Sequence, residues 1–216
     1  MSRAWGAVRR HRWWAVAASV LVVVGAVGIA NRGLIELALR PADPIDQRLP
    51  LARPLDPEPG ETVYRIDAAR SEVTLEVDEV LAGAERRVEL STQGIAGDVG
   101  VGSDPTPAVR LGDVVVDVAQ LRSDNSLRDK ALQHEYLETH EHPQVRLTGA
   151  TVTLPDDATA QRVEGATIEG DLEVKGEPHP VTFTADATLD GDELQVTAST
   201  TVKMSDLGVG PISKAG

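Results

Sequence analysis

The chain has 216 residues, no cysteine and a formal net charge of −13 at pH 7. The lack of cysteine excludes disulfides, thiolate metal sites and cysteine nucleophiles, so the core must be held by burial alone. Residues 1–60 contain eight Arg and five acids, net +3, which leaves −16 for the rest, a balance that repels nucleic acid and anionic lipid head groups.

The chain opens with a basic tail, residues 1–12, holding Arg3, Arg9, Arg10 and Arg12. Trp13 to Ala30 follows, 18 residues without a charge. As a helix rising ~1.5 Å per residue it spans about 27 Å, close to the hydrocarbon thickness of a bilayer. The preceding arginines favour a cytoplasmic N-terminus, and Trp13 and Trp14 fall at the membrane interface. Gly28-Ile29-Ala30 would also suit signal-peptide cleavage, but the apolar run exceeds the usual h-region. The sequence therefore predicts an uncleaved signal anchor, a single pass through the cell membrane over 13–30, with the remaining chain extracytoplasmic. Residues 31–60 repeat proline from Pro41 to Pro59 and predict an extended linker.

From Thr62 the pattern changes to period two. Val73, Leu75 and Val77 alternate with Thr74, Glu76 and Asp78, and Val114, Val116 and Val118 continue the pattern. Ile168, Leu172 and Val174 alternate with acids, and Val181, Phe183, Ala185, Ala187 and Leu189 alternate with polar residues. Leu194, Val196, Ala198, Val202 and Met204 close the series. Strands with one apolar and one polar face are expected in an antiparallel sheet that is wet on one side. About seven such strands between 62 and 205 bury their faces either as two packed sheets or as a barrel. Asp190-Gly191 predicts a tight hairpin, and the slip in apolar phase at Gly149 predicts a bulge.

One segment breaks the pattern. "SLRDKALQHEYLET", Ser126 to Thr139, reads as a charged helix. Ser126-Leu127-Arg128-Asp129 has the form of a capping box, and His142-Pro143 stops any helix before it. Its apolar face is not clean, so the helix is expected to lie against the sheet without deep burial. His134, His140 and His142 lack the i, i+4 spacing of a helical zinc pair, and Ser126, Asp129 and His134 have no nucleophile elbow around them. The chain is therefore expected to be neither a metalloprotein nor an enzyme. Its only large aromatics after residue 14 are Tyr64, Tyr136 and Phe183, too few for a stacking surface.

Four stretches occur in a telling order: "YRIDAARSEVTLEV" (64–77), "LRSDNSLRDKALQHEYLETHEHPQVRLTG" (121–149), "GDLEVKGEPHPVTFTADATL" (170–189) and "TTVKMSDLGVGPIS" (200–213). Together they resemble the YceI-like family of bacterial exported lipid-binding domains, over about residues 62–213. The resemblance implies a YceI-like domain over 61–216: all-β, a lipocalin-like antiparallel β-barrel, with the helix near 126–139 plugging or framing one end. It implies an apolar interior that holds an isoprenoid lipid of the quinone or polyprenyl phosphate type, with no cofactor besides that ligand. Strand phase and family position together assign the inward candidates Val73, Leu75, Val77, Val116, Leu132, Tyr136, Leu172, Val181, Phe183 and Val196. Leu207 stands where the family usually has Phe. The family's further strand, which closes the barrel against the first, has no counterpart after the Asp-Leu-Gly segment. Two strand edges are therefore expected to lack a partner, which leaves three readings open: a truncated domain, a homodimer through those edges, or a non-functional barrel. The competing expectation is a non-enzymatic interaction module whose barrel is filled by side chains.

Overall fold

The computed structural model describes residues 15–28, 49–81, 84–102 and 108–209. Its strands are β1 (Ala15–Gly28), β2 (Glu61–Ile66), β3 (Glu72–Leu81), β4 (Ala84–Thr92), β5 (Ile95–Ala96) and β6 (Asp98–Gly102). They continue as β7 (Ala108–Leu111), β8 (Val114–Asp117), β9 (Gln144–Thr153), β10 (Arg162–Val174), β11 (Glu177–Asp190) and β12 (Glu193–Lys203). One short helix, α1 (Ser126–Ala131), interrupts them. The strands pair in the order β5-β8-β9-β10-β11-β12-β1-β2-β6-β7, with β3 joined to β1 and β4. The chain is thus all-β, a sheet curled into a half-barrel around a main apolar core, with a smaller apolar cluster at Tyr64 and Leu194.

The alternation read from the sequence sets the faces of the long strands. Along β11, Val181, Phe183 and Ala185 are buried while Thr182, Thr184 and Asp186 are exposed. The β11–β12 hairpin turns at Gly191, φ 58°, as Asp190-Gly191 implied. At the β9–β10 pairing the register shifts between Glu169 and Asp171, opposite Gly149 with φ 61°. This is the expected bulge, and the left-handed backbone there is why the position is glycine. A second bulge lies between Val163 and Ala166, where the Gly165 amide donates to Asp186 Oδ1 at 2.8 Å.

More strands form than the periodicity implied. Residues 95–117 carry glycine at 97, 100, 102 and 112, which shortens the apolar runs and splits the region into β5 to β8.

The first apolar segment also differs from expectation. Where a transmembrane helix is predicted over 13–30, Ala15–Gly28 is a β-strand; Trp13, Trp14, Ile29 and Ala30 lie outside the described residues. Among the described residues no helix is long and apolar enough to cross a membrane. β1 runs parallel to both β12 and β3, with Val20 in register with Ala198 and Val73. A continuous run rich in valine has no period to separate strand from helix, and its β propensity is high. Here it occupies the place between β12 and β3, so these two edges are paired with β1.

The end of the predicted linker is tied to the barrel. The Leu55 amide donates to Asp98 Oδ2 at 3.0 Å, and Arg110 reaches Glu58 at 3.1 Å and the Asp56 carbonyl at 2.8 Å. Asp98 is buried and also takes Arg65 Nε at 2.9 Å, so its charge is compensated within the fold.

Candidate functional site

The charged helix closes one end of the barrel by a different geometry from the one expected. The Asn125 side chain, and not Ser126, caps α1, accepting from the Leu127 and Arg128 amides at 3.0 and 3.4 Å. Asp129 turns away from the cap and accepts from the Ser123 amide at 2.9 Å and the Ser123 hydroxyl at 2.7 Å. The α-helix ends at Ala131, short of the predicted Thr139, because the chain widens into a π turn over Leu132–Tyr136. The Leu137 amide donates to the Leu132 carbonyl at 2.8 Å, and the Thr139 amide to the Gln133 carbonyl at 2.8 Å. The extra residue in the turn rotates Leu132, Gln133 and Leu137 onto the barrel, where all three are buried. Gln133 Nε2 is satisfied by the Ala119 carbonyl at 3.1 Å. The segment is therefore buried more deeply than its mixed apolar face suggested.

Beneath it lies a cavity of about 190 Å3. Its wall is aliphatic apart from Phe183 and Met204, and carries no polar side chain. Leu132 and Leu137 come from the helical segment, Val116 and Leu172 from β8 and β10, Phe183 from β11, Val196 from β12, and Met204, Leu207 and Val209 from the turn after β12. A second cavity of about 90 Å3 continues toward Val163, Ala187 and Leu189. Val99, Leu111, Ile168 and Val196 line both, so the two lie side by side along the barrel.

Seven of the ten residues selected from the sequence line the larger cavity: Val73, Leu75, Val116, Leu132, Leu172, Phe183 and Val196. Val77, Tyr136 and Val181 belong to the surrounding core and not to its wall. Strand phase identifies the inner face but not where along it neighbours leave space. Sequence reasoning missed Val99, Leu111 and Ile168, whose alternation is visible, and Leu207 and Val209, which no strand pattern marks.

The polar groups gather at the rims. At the helix end Glu138 pairs with Lys175 of the β10–β11 turn. The Lys175 hydrogen bond, and then its charge, hold the Glu138 carboxyl below the usual carboxylate range. Burial pushes the Tyr136 hydroxyl up, with help from Glu135. At the opposite end the Thr159 hydroxyl accepts from the Arg162 amide at 3.0 Å, and Arg162 pairs with Glu164. Among the described residues no three His, Asp or Glu side chains are placed to hold a metal ion. His140 is over half exposed and lies beside Glu141 at 3.4 Å.

A curled, mainly antiparallel sheet around an apolar cavity, capped at one end by a short helix, defines a β-barrel scaffold with room for a small apolar group. The YceI-like domain model matches residues 64–215, more than two thirds of the chain, and the chain belongs to that family. No curated protein matches it. Among solved structures, one similar chain is a polyisoprenoid binding domain from Saccharophagus degradans implicated in plant cell wall breakdown. The two are 12% identical, the match covers 55% of this chain and 68% of that one, and the TM-score is 0.29, too low to carry an argument.

Proposed function

We propose that the protein is a non-enzymatic binder or carrier of an isoprenoid lipid, held in the barrel channel. The observation that carries this reading is the cavity of about 190 Å3 whose wall has no polar side chain. An apolar cavity of about 150 Å3 in another protein stays dry and takes up benzene. The space here suits one or two isoprene units, and a second cavity of about 90 Å3 lies beside it. Burying a five-carbon unit at ~0.8 kcal/mol per carbon contributes about 4 kcal/mol gross, so a few units give useful affinity after the cost of association. Membership of the YceI-like family supports the same ligand class. A barrel filled by side chains, the rival expectation, leaves no such channel.

The finer part of the proposal is a tether to the cell membrane that places the barrel outside the cytoplasm. It rests on the uncharged run from Trp13 to Ala30 and the arginines before it. In the tethered form Ala15–Gly28 leaves the sheet, and β12 and β3 lose it as a neighbour. Protease accessibility of the C-terminal part in intact cells and in spheroplasts tests the placement.

The ligand is tested by methyl NMR of the full chain during titration with a short-tailed quinone and with a polyprenyl phosphate. Shifts confined to methyls of Val116, Leu132, Leu172 and Val196 support the reading. Unchanged spectra with both ligands sink it.

A further inference from the structure

The walls of the two cavities differ in one respect. The larger has no polar side chain, whereas the smaller takes Thr159, Gln161 and Arg162 from the loop between β9 and β10. That loop is held in one shape. The Thr159 amide donates to the Arg162 carbonyl at 2.9 Å and the Arg162 amide to the Thr159 hydroxyl at 3.0 Å, which closes a tight turn with Ala160 and Gln161 at its tip. The Leu189 amide donates to the Gln161 carbonyl at 2.8 Å and ties the tip to β11. Thr159 is thus satisfied within the turn, and the Arg162 guanidinium is occupied by Glu164. Gln161 lines the smaller cavity and is exposed, so it stands where that cavity meets solvent. Its carboxamide forms no hydrogen bond among the described residues.

The charge at this mouth is one-sided. The Ala158 amide donates to the Pro155 carbonyl at 3.1 Å, which leaves Asp156 and Asp157 exposed in the turn just before Thr159. Neither has an ion-pair partner among the described residues, and Glu164 already offsets Arg162. A phosphate placed here would meet uncompensated negative charge, added to a chain of net charge −13. An uncharged carbonyl or hydroxyl would not, and a carboxamide offers such an oxygen both donors and an acceptor.

We propose that the smaller cavity is the head-group end of the ligand site, where the Gln161 carboxamide hydrogen-bonds an uncharged oxygen, a quinone carbonyl or an alcohol, and the two aspartates disfavour a phosphate. The tail runs past Val99, Leu111, Ile168 and Val196, common to both walls, into the larger cavity. The inference rests on the apolar-ligand reading above and adds to it an orientation and a choice between its two ligand types.

Three probes with one tail separate these contributions: farnesol, farnesyl phosphate and the hydrocarbon farnesene. Binding is measured by calorimetry on the full chain in nanodiscs, with empty discs as reference. The native protein should prefer farnesol to farnesyl phosphate, and Asp156→Asn with Asp157→Asn or added salt should narrow that gap. Gln161→Leu should weaken farnesol about three- to tenfold and leave farnesene unchanged, with partial rescue in Gln161→Asn. A native preference for farnesyl phosphate overturns the choice of an uncharged head. Equal weakening of farnesol and farnesene in Gln161→Leu, or of neither, overturns the role of Gln161 and leaves the cavities as a tail site. Failure of the native protein to bind any of the three overturns the apolar-ligand reading and this inference with it. Should Gln161→Leu not fold, the side-chain amide resonances of Gln161 in the native protein decide: a shift with farnesol and none with farnesene supports the contact, and identical spectra refute it.

Discussion

Glu138 and Lys175, 37 residues apart in the chain, form an ion pair, and they are the two non-glycine residues with positive φ among those described, at 51° and 52°. Glu138 lies two residues after the π turn, and Lys175 opens the two-residue turn between β10 and β11. Side chains disfavour the left-handed region, so both backbone conformations depend on the surrounding contacts. The pair fastens the helical cap to the strand hairpin at the rim of the channel.

The fastening is expected to depend on pH. The Lys175 hydrogen bond and charge hold the folded-state pKa of Glu138 below the usual carboxylate range. A depressed carboxylate pKa contributes stability that is present above the unfolded value and lost as pH falls through the folded one. The native protein should therefore resist denaturant better than Lys175→Gln at pH 7, and the gap should close as the solution is acidified below about 4. A gap that stays constant down to pH 2 would show that Lys175 acts through the turn and not through the charge.

Val196 lines both cavities, and a larger side chain there should take up space in each. Val196→Trp is expected to lower the affinity for an isoprenoid quinone at least tenfold (about 1.4 kcal/mol), while circular dichroism remains that of a folded β protein. Retained affinity would place the ligand elsewhere.

Leu90 is 2% exposed and packs in the core without lining either cavity. Leu90→Ala should cost about 2–5 kcal/mol of unfolding free energy and leave ligand affinity unchanged under conditions where the variant is folded. This contrast with Val196→Trp separates damage to the fold from damage to the channel.

Asn125, and not Ser126, holds the amides at the start of α1. Asn125→Ala should cost about 1 kcal/mol, whereas Ser126→Ala should change the denaturation midpoint very little. The reverse order would restore the capping box suggested by the sequence.

Much of this architecture was legible in residue order, and the exceptions have physical causes. Alternation placed Leu172, Phe183 and Val196 on the inner face, and the phase slip at Gly149 located a bulge. The π turn at Leu132–Tyr136 left no trace, because its geometry comes from docking Leu132 and Leu137 onto the barrel and not from local propensity. The Asn125 cap was hidden by a neighbouring Ser126 with an acid three residues on. The unbroken apolar run at Ala15–Gly28 has no period, so residue order alone does not separate strand from helix there. Val181 was rightly expected inside, yet it belongs to packed core, since phase reports a face and not the space left beside it.

The central claim is that the channel holds an isoprenoid tail. Native mass spectrometry of the full chain, released gently from membranes of cells that express it and followed by organic extraction, examines that claim without choosing a ligand beforehand. The expected result is an apolar adduct whose fragments are spaced by isoprene units and which is lost in Val196→Trp. A folded protein that carries no adduct, even after quinone and polyprenyl phosphate are added, would contradict it.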